Sequence, residues 1–192
     1  EYLTIMFRGL PTLYQEIQTL LSSYPEYASL CLTDMPAHLV KFRNWSGFDA
    51  DGNHKITARV TQTATFLQKE KLKSLYINEI DNIINFIDAS NPALKTPYAA
   101  LREQLLNSAD GTLPASITDD LLQLCTEHQQ TYTPCHDFAV RLRLCGNYFS
   151  KGDIRQKAGV TNAIVDIALS LDAQQQPQPV LPDGTQTLYG IA

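Results

Sequence analysis

The stretch TARVTQTATFLQKEKLKSLYINEIDNIINFI, residues 57–87, decides the fold of this chain. Apolar residues recur in it every three to five positions, which is the spacing of one face of an α-helix. They are Val60, Ala64, Leu67, Leu72, Leu75, Ile80, Ile83 and Ile87. Thr57 can cap the first turn, because its hydroxyl accepts a bond from a backbone N–H that has no partner within the helix. The stretch therefore predicts one long helix, about 45 Å in length if unbroken.

Helical spacing also marks shorter segments on both sides of the long helix. We predict them at residues 11–22, 98–106, 118–125, 137–144 and 161–171. The third would be capped by Thr118 or Asp119, and Gly146 would end the fourth. Two stretches rich in turn-forming residues mark further helix ends: SNPALKTP ends the long helix, and SADGTLP ends the helix at residues 98–106. The predicted fold class is mainly α, with one long helix and at most one or two short strands.

The predicted organisation is one helical domain followed by a tail. The chain has 192 residues, of which 44% are hydrophobic, and this suits a single globular domain or a large part of a bigger one. We assign residues 1–170 to the domain. Residues 171–192 include DAQQQPQPVLPDGTQ, a composition typical of a loop or flexible tail. The chain starts at Glu1 without a Met, which favours a fragment of a longer protein.

Charge and hydropathy limit the partners of the chain. Lys and Arg number 15 against 20 Asp and Glu, so the net charge of -5 provides no general attraction to nucleic acid or to an anionic membrane. No apolar run approaches the roughly 18 residues that span a bilayer. We therefore predict a cytoplasmic protein that binds neither nucleic acid nor membrane.

The cysteines and histidines form no metal-binding pattern. The sequence contains no C-x-x-C pair and no zinc-site spacing; its cysteines are Cys31, Cys125, Cys135 and Cys145. Buried, reduced thiols are therefore the prediction. His128 and His136 are predicted to lie at the surface or to be hydrogen-bonded, with no catalytic role.

A charged run in the long helix is predicted to face solvent. The run comprises Lys69, Glu70, Lys71 and Lys73. Long charged side chains at successive helical positions are usually the solvated face of a helix. No binding role follows from this pattern.

The turn WSGFDADGNHKIT, residues 45–57, first suggests calcium. Its oxygen-bearing side chains copy the opening of an EF-hand loop; they are Asp49, Asp51 and Asn53. The loop then needs a glycine at its sixth position and a bidentate carboxylate at its twelfth, and these positions hold His54 and Val60. The missing carboxylate disfavours calcium, and we predict no metal ion here.

Two further interpretations of the same turn concern anions and the backbone itself. Gly47 and Gly52 could let backbone N–H groups converge on a phosphate beside the N-terminus of the long helix. The two aspartates would repel it. Alternatively, the polar side chains bond neighbouring N–H groups in Asx turns, with Trp45 packed beneath. Spacing alone favours this structural turn, which comprises Trp45, Gly47, Asp49, Asp51, Gly52 and Asn53.

Three stretches resemble phosphoenolpyruvate carboxylases. VKFRNWSGFDADGNHKIT, residues 40–57, is similar to the family signature F-x-x-W-x-G-G-D-R-D-G-N-P-x-V-T. LCGNYFSKGDIRQ, residues 144–156, resembles a family stretch that ends in D-I-R-Q, and LPTLYQEIQTLL, residues 10–21, is similar to the V-P-x-x-x-R-E-L helix before the signature. The three matches occur in the family order and cover about residues 1–170.

The resemblance implies an enzyme that is largely helical around an eight-stranded barrel. The complete family enzyme uses Mg²⁺ or Mn²⁺ to join phosphoenolpyruvate and bicarbonate into oxaloacetate and phosphate. By the resemblance, Arg155 and Gln156 end a barrel strand and are candidates for binding an anion, with the signature turn nearby. The chain has no H-P-T triplet with the catalytic histidine, no glycine-arginine loop and no metal-binding acidic pair. We therefore assign no catalytic residue, expect no cofactor for this chain alone, and predict that it is inactive by itself.

Departures from the family pattern leave two hypotheses open. Ala50 replaces the family arginine between the aspartates, Phe48 replaces the second glycine, and His54 replaces the proline. Loss of a guanidinium removes a bidentate phosphate partner. Either the chain is a segment whose partner is the remainder of the polypeptide, or it is a degenerate, non-catalytic helical module. Such a module would bind a protein partner, a small anionic ligand or a nucleotide.

Overall fold

Two compact units make up the chain. The structure, a computed structural model, describes residues 2–27, 29, 43–44, 47–49, 55–87, 91–148 and 151–152. The helical unit comprises Glu1–Phe42 with Phe66–Ser150, and the turn unit comprises Arg43–Thr65 with Lys151–Ala192. The predicted domain end at residue 170 lies outside the described residues and stays a prediction.

The described residues form five α-helices and one pair of very short strands. The helices are α1 (Tyr2–Ser22), α2 (Ala58–Phe86), α3 (Pro92–Asn107), α4 (Ala115–His128) and α5 (Thr133–Cys145). The strands β1 (Arg43–Asn44) and β2 (Lys151–Gly152) pair in parallel, and a 3₁₀ turn spans Pro25–Tyr27. The prediction of a mainly α fold with one long helix and at most two short strands is confirmed for these residues.

The long helix begins where its cap predicts. Thr57 Oγ1 accepts a hydrogen bond of 3.4 Å from the Val60 N–H, three residues into the first turn. The helix then runs without a break to Phe86. Its continuity follows from the absence of Gly and Pro between those two ends.

Four helix starts differ from the sequence prediction. Helix α3 begins at Pro92 and not at residue 98, because Pro92 fits the first turn, so most of the predicted break SNPALKTP is helical. Helix α1 begins at Tyr2, well before the expected start at Pro11. Helix α4 begins at Ala115, so the predicted cap Thr118 lies inside the helix and donates its hydroxyl to the Ala115 carbonyl at 2.8 Å. Helix α5 begins at Thr133 and not at residue 137, because Pro134 fits the first turn, where a missing N–H costs nothing. The predicted helix at residues 161–171 lies outside the described residues.

One face of α2 forms the centre of the core of the helical unit. Its part in that core consists of Leu72, Leu75, Tyr76, Ile80 and Ile83, all nearly inaccessible to solvent, and the buried Ile87 directly follows the helix. The Tyr76 hydroxyl donates to the Gly146 carbonyl at 2.6 Å, and its ring packs edge-on against Phe138 at 5.3 Å between centroids. Gly146 ends α5 with φ of +52°, as the sequence predicts. The hydroxyl of a buried Tyr thus finds a partner at a helix end, as burial of that group requires.

A buried arginine explains why α1 tolerates a proline inside it. Pro11 has no N–H, so the Phe7 carbonyl lacks its usual helical donor. Arg141 Nε donates to that carbonyl at 3.1 Å, and Arg141 Nη1 donates to Glu79 Oε2 at 2.9 Å. The guanidinium carbon also lies 5.2 Å from the centre of the Phe7 ring. This single side chain therefore joins α5 to α1 and α2.

The predicted solvated face of α2 is wrong for three of its residues. Lys73 is only 7% exposed and donates to the Ser108 carbonyl at 2.9 Å. Glu70 Oε1 accepts a hydrogen bond of 2.5 Å from the Gly111 N–H, and Lys69 Nζ lies 4.8 Å from the centre of the Tyr148 ring. Lys73 and Glu70 thus satisfy backbone groups after α3, and Lys69 contacts an aromatic ring after α5, so all three partners are distant in sequence.

The Gly111→Ala variant should lower the free energy of unfolding by about 1–3 kcal/mol. Gly111 has φ of +68°, and a Cβ there would overlap the ring of Phe66. Urea unfolding followed by circular dichroism measures the change. The matched control is Gly9→Ala: Gly9 lies in α1 with open space around it, so the same substitution should stabilise by roughly 0.8–1 kcal/mol. Equal effects of the two substitutions would contradict the argument.

Candidate functional site

The pairing of β1 with β2 connects the two motif segments. Arg43 pairs with Lys151 and Asn44 with Gly152, in parallel. The signature turn follows β1 directly and the D-I-R-Q segment follows β2 directly. Two strands that pair in parallel have their carboxyl ends at the same end of the sheet, and the strands lie about 4.8 Å apart. Asn44 and Gly152, which come just before the turn and the D-I-R-Q segment, therefore lie side by side at the same end of the strand pair.

The start of the turn is bonded to the first turns of α2. The Thr61 hydroxyl, itself buried, donates to the Gly47 carbonyl at 2.6 Å. Gly47 has φ of +84°, and a Cβ at this position would lie 2.6 Å from the Cβ of Ala64. A glycine is required here for two reasons: the backbone is in the left-handed region, and α2 approaches too closely to leave room for a Cβ. The hydrogen bond from Thr61 and the close packing of Ala64 therefore fix Gly47 against the first turns of α2.

Phe48 and Asp49 close the described part of the turn. Phe48 is 8% exposed, so the aromatic side chain that replaces a family glycine is buried. Asp49 Oδ1 is buried and has no hydrogen-bond partner in the part of the chain that the structure describes. Burying a carboxylate oxygen carries a desolvation penalty, and without a hydrogen-bond donor no interaction offsets that penalty. That oxygen remains an acceptor that a further donor could satisfy.

The remaining site residues lie outside the described residues. They are Trp45, Asp51, Gly52 and Asn53 of the turn, and the anion candidates Arg155 and Gln156. Their predicted roles stay predictions. What the structure contributes is the position of the backbone immediately before each segment, through Asn44 and Gly152.

Thr61 and the strand pair were not anticipated from the sequence. Thr61 lies at the fourth position of α2, where a small polar side chain is common and indicates no particular hydrogen-bond partner. A strand of two residues shows no alternation that could be recognised. The proximity of the glycine-rich turn to the start of a helix is the one signal that could have pointed to a bond such as that of Thr61.

The described residues do not provide a metal centre. Among them, no three His, Cys, Asp or Glu side chains come together in a way that could hold a metal ion. These residues therefore do not fit the Mg²⁺ or Mn²⁺ that the family resemblance implies, and we assign no step to a metal here. The expectation that this chain alone binds no cofactor stays a prediction.

The described histidines and cysteines have ordinary structural surroundings. His128 Nδ1 lies 3.1 Å from the Tyr98 hydroxyl, and His136 Nδ1 lies 3.2 Å from Asp137 Oδ1, so each histidine has a hydrogen-bond partner. Cys125, Cys135 and Cys145 are free and buried, which confirms the prediction for these three. Cys31 lies outside the described residues.

Of the helices that the structure describes, none combines the length and the apolar character that crossing a membrane requires.

The fold and the site together define a class: a mainly helical protein in which two short parallel strands lead into a W-x-G-x-D-x-D-G-N turn and a D-I-R-Q segment. The family model described as phosphoenolpyruvate carboxylase matches residues 1–132. This match covers more than half of the chain. The chain belongs to the phosphoenolpyruvate carboxylase family.

Relatives in this family are similar over most of the chain but are much longer. The phosphoenolpyruvate carboxylase of Psychromonas ingrahamii is 27% identical over 148 residues, which is 72% of this chain and 16% of the relative. That of Vibrio parahaemolyticus is 28% identical over 157 residues, or 73% of this chain and 17% of the relative. That of Proteus mirabilis is 25% identical over 140 residues, which is 67% of this chain and 15% of the relative. The chain thus spans about a sixth of the length of these relatives.

Proposed function

We propose that this chain is the part of a phosphoenolpyruvate carboxylase that places the signature turn beside the D-I-R-Q segment at an anion site. The complete enzyme would convert phosphoenolpyruvate and bicarbonate to oxaloacetate and phosphate. The observation that carries the proposal is the parallel pairing of Arg43–Asn44 with Lys151–Gly152, directly before the two segments. Both segments can then contribute to one site.

Arg155 is the proposed anion ligand, with Gln156 beside it. A guanidinium presents two parallel N–H donors, a geometry that suits a phosphate or carboxylate. A glutamine amide can add a neutral donor. With Ala50 in place of the family arginine, the turn itself supplies no guanidinium to the anion. In this proposal the turn shapes the site and Arg155 supplies the charge.

The chain alone is proposed to be inactive, with the remainder of a longer polypeptide as its partner. The relatives are about six times longer than the matched segment, which leaves room for the catalytic histidine and the metal ligands elsewhere. Asp49 Oδ1, buried without a described donor, is one group that such a partner could satisfy. The free buried thiols support a reducing compartment, the cytoplasm. The net charge of -5 supports our exclusion of nucleic acid and membrane.

A second candidate is a non-catalytic helical module that binds a protein or a small anionic ligand or nucleotide. The burial of Phe48 favours it, because a large apolar side chain now fills the position of a family glycine beside the site. The two candidates differ in activity once the rest of an enzyme is present. A complete protein carrying this segment should form oxaloacetate under the first candidate and should not under the second.

Phosphoenolpyruvate or sulfate should raise the melting temperature of the chain, and Arg155→Ala should abolish that rise. At ten times the dissociation constant, binding contributes about 1.4 kcal/mol, which is about 3–6 °C for a domain of this size. Differential scanning fluorimetry measures the shift. The control is Arg102→Ala: Arg102 is a partly exposed α3 residue paired with Asp81, and its loss should leave the ligand-induced shift intact.

Two results would count against the anion site. One is an unchanged shift in Arg155→Ala, which removes Arg155 as the ligand. The other is the absence of any shift with either anion in the unaltered chain. A loss of shift in both variants would show general destabilisation, and would also remove the specific role of Arg155.

A further inference from the structure

A cleft of about 320 Å³ lies between α3 and α4 of the helical unit. Each helix contributes four residues to it at the spacing i, i+3, i+4 and i+7, which is the spacing of one helical face. The α3 residues start at Pro97, and the α4 residues start at Asp120. The cleft is therefore a groove that follows two turns of each helix, or about 10 Å.

The middle of the groove is apolar. Ala100 and Leu101 lie between the two ends of the α3 face, and Leu124 lies between those of the α4 face. The hydroxyl oxygen of the buried Tyr98 lies 3.4 Å from the Leu124 carbonyl oxygen, so a polar contact joins the two helices here. Ala100 is exposed and Leu124 is half-buried. An apolar side chain of a partner that covered these residues would remove their surface from water, which favours binding.

Two carboxylates of α4, Asp120 and Glu127, mark the ends of the groove. Both residues are exposed, and they lie seven positions apart on the same face. Glu127 accepts a hydrogen bond of 3.0 Å from the Gln123 amide, which is neutral. Within the described residues, neither carboxylate takes part in an ion pair and no Lys or Arg lines the groove. The groove is therefore negatively charged at both ends and has no counter-charge among these residues.

The charges and their spacing define the chemistry of an occupant. It needs a cation at each end of the groove and an apolar side chain between the two. In an α-helix, residues at i and i+7 lie on one face about 10 Å apart, with i+3 and i+4 between them. A helix with Lys or Arg at i and i+7 and leucine between them therefore complements the groove. Binding of amphipathic helices in grooves is a common mode of recognition.

A second copy of the chain does not offer such a helix among its described residues. Of the described helices, α3 alone carries two basic residues seven positions apart, Lys95 and Arg102. Arg102 Nε already donates to Asp81 Oδ1 at 2.6 Å, and Tyr98, which lies between the two basic residues, is buried in the core. The charge complementarity therefore favours a different polypeptide as the occupant.

We propose that the groove between α3 and α4 is a docking site for a basic amphipathic helix of a protein partner. Two Lys or Arg side chains of the partner pair with Asp120 and Glu127. An apolar side chain between them contacts Ala100, Leu101 and Leu124. Neither α3 nor α4 contains a residue of the proposed anion site, so this proposal does not depend on anion binding by Arg155.

Fluorescence anisotropy with a synthetic peptide tests the proposal on the whole chain. The probe is a fluorescein-labelled, alanine-based helix with lysines seven positions apart and leucines between them. A second peptide carries glutamate in place of each lysine. We expect saturable binding of the lysine peptide and no binding of the glutamate peptide. Binding should weaken when NaCl is raised to 1 M, because charges are then screened beyond about 3 Å.

Charge variants locate the binding site. Asp120→Asn/Glu127→Gln should raise the dissociation constant of the lysine peptide by about 3–10-fold, the effect of losing two exposed ion pairs. Asp119→Asn is the matched control, because Asp119 is an exposed carboxylate of the same helix that does not line the groove. This control should leave the dissociation constant nearly unchanged.

A second pair of variants tests the apolar part of the groove. Ala100→Gln places a larger, polar side chain in the groove and should weaken binding. Ala99→Gln is the control, since Ala99 is an exposed neighbour in α3 that does not line the groove. All the substituted side chains are exposed, so the variants should keep their fold, and circular dichroism verifies this.

Three results would overturn the proposal. The first is the absence of saturable binding of the lysine peptide to the unaltered chain. The second is an equal loss of affinity in the groove variants and their controls, which would show attraction to the acidic surface as a whole. The third is a dimer in size-exclusion chromatography that Asp120→Asn/Glu127→Gln dissociates, which would make a second copy the occupant.

Discussion

Arg141→Met should lower the free energy of unfolding by about 3–5 kcal/mol. Arg141 is 9% exposed and is the donor to both Glu79 and the Phe7 carbonyl. Its removal leaves the largely buried Glu79 carboxylate without its counter-charge and a helix carbonyl without a donor, which Pro11 cannot supply. Methionine keeps much of the aliphatic volume, so the loss reports the charge and the hydrogen bonds more than a cavity.

The pH dependence of this loss identifies Glu79 as its cause. Burial raises the pKa of Glu79 and the Arg141 charge lowers it. Without Arg141 the folded-state pKa therefore rises further above the unfolded value of about 4.3. A carboxyl with a raised folded pKa stabilises the fold most below its unfolded pKa, and that contribution is lost as the pH rises through the folded pKa. The destabilisation by Arg141→Met should accordingly be larger at pH 7 than near pH 4.5.

Urea unfolding at the two pH values measures both effects. Arg141→Met/Glu79→Leu should be less destabilised than the sum of its single variants, because the unpaired charge is removed. Arg102→Met is the surface control: its partner Asp81 is 40% exposed, and we expect a much smaller change. A loss for Arg141→Met no greater than that for Arg102→Met would contradict the role of the buried network.

Gly47→Ala should lower the free energy of unfolding by about 2–4 kcal/mol, the second largest effect that we expect. The alanine would have to adopt φ of +84°, and its Cβ would meet the Cβ of Ala64 at 2.6 Å. Both partners of this contact are held by backbone, so the clash cannot be relieved by a rotamer change. The Thr61 hydrogen bond to the Gly47 carbonyl would be disturbed as well.

A second variant distinguishes strain from clash. In the Ala64→Gly background the steric overlap is absent, so Gly47→Ala should cost only the backbone strain, about 1–2 kcal/mol. Ala64→Gly alone should cost about 1 kcal/mol as a helix-interior glycine. Chemical denaturation of the four proteins completes the cycle. Identical costs of Gly47→Ala in both backgrounds would show that the approach of α2 to the turn is not as close as described.

The regular part of the fold was predictable from local pattern. The period of apolar residues and the Thr57 cap predicted α2, and Gly146 predicted the end of α5. The prolines misplaced other boundaries, because Pro97 and Pro134 lie inside α3 and α5. The prediction was wrong where a distant partner decides the outcome. Pro11 lies inside α1 because Arg141 supplies the donor to Phe7, and Lys73 is buried because Ser108 supplies an acceptor. Neither partner is visible from the local sequence.

The candidate site was predictable only in its components. The residues of the turn and of the D-I-R-Q segment stand out by type and by family resemblance. Their association depends on the pairing of two strands of two residues each, separated by more than one hundred positions in the chain. Such short strands have no period of their own, so the sequence provides no signal that they pair.

The most direct test of the central claim, that the two motif segments form one anion site, is a phosphoenolpyruvate titration followed by amide NMR. With the backbone assigned, signals of residues 45–53 and of residues 153–156 should shift together, with the same dissociation constant, and Arg155→Ala should abolish both sets of shifts. Shifts confined to one segment, or two different dissociation constants, would contradict the claim.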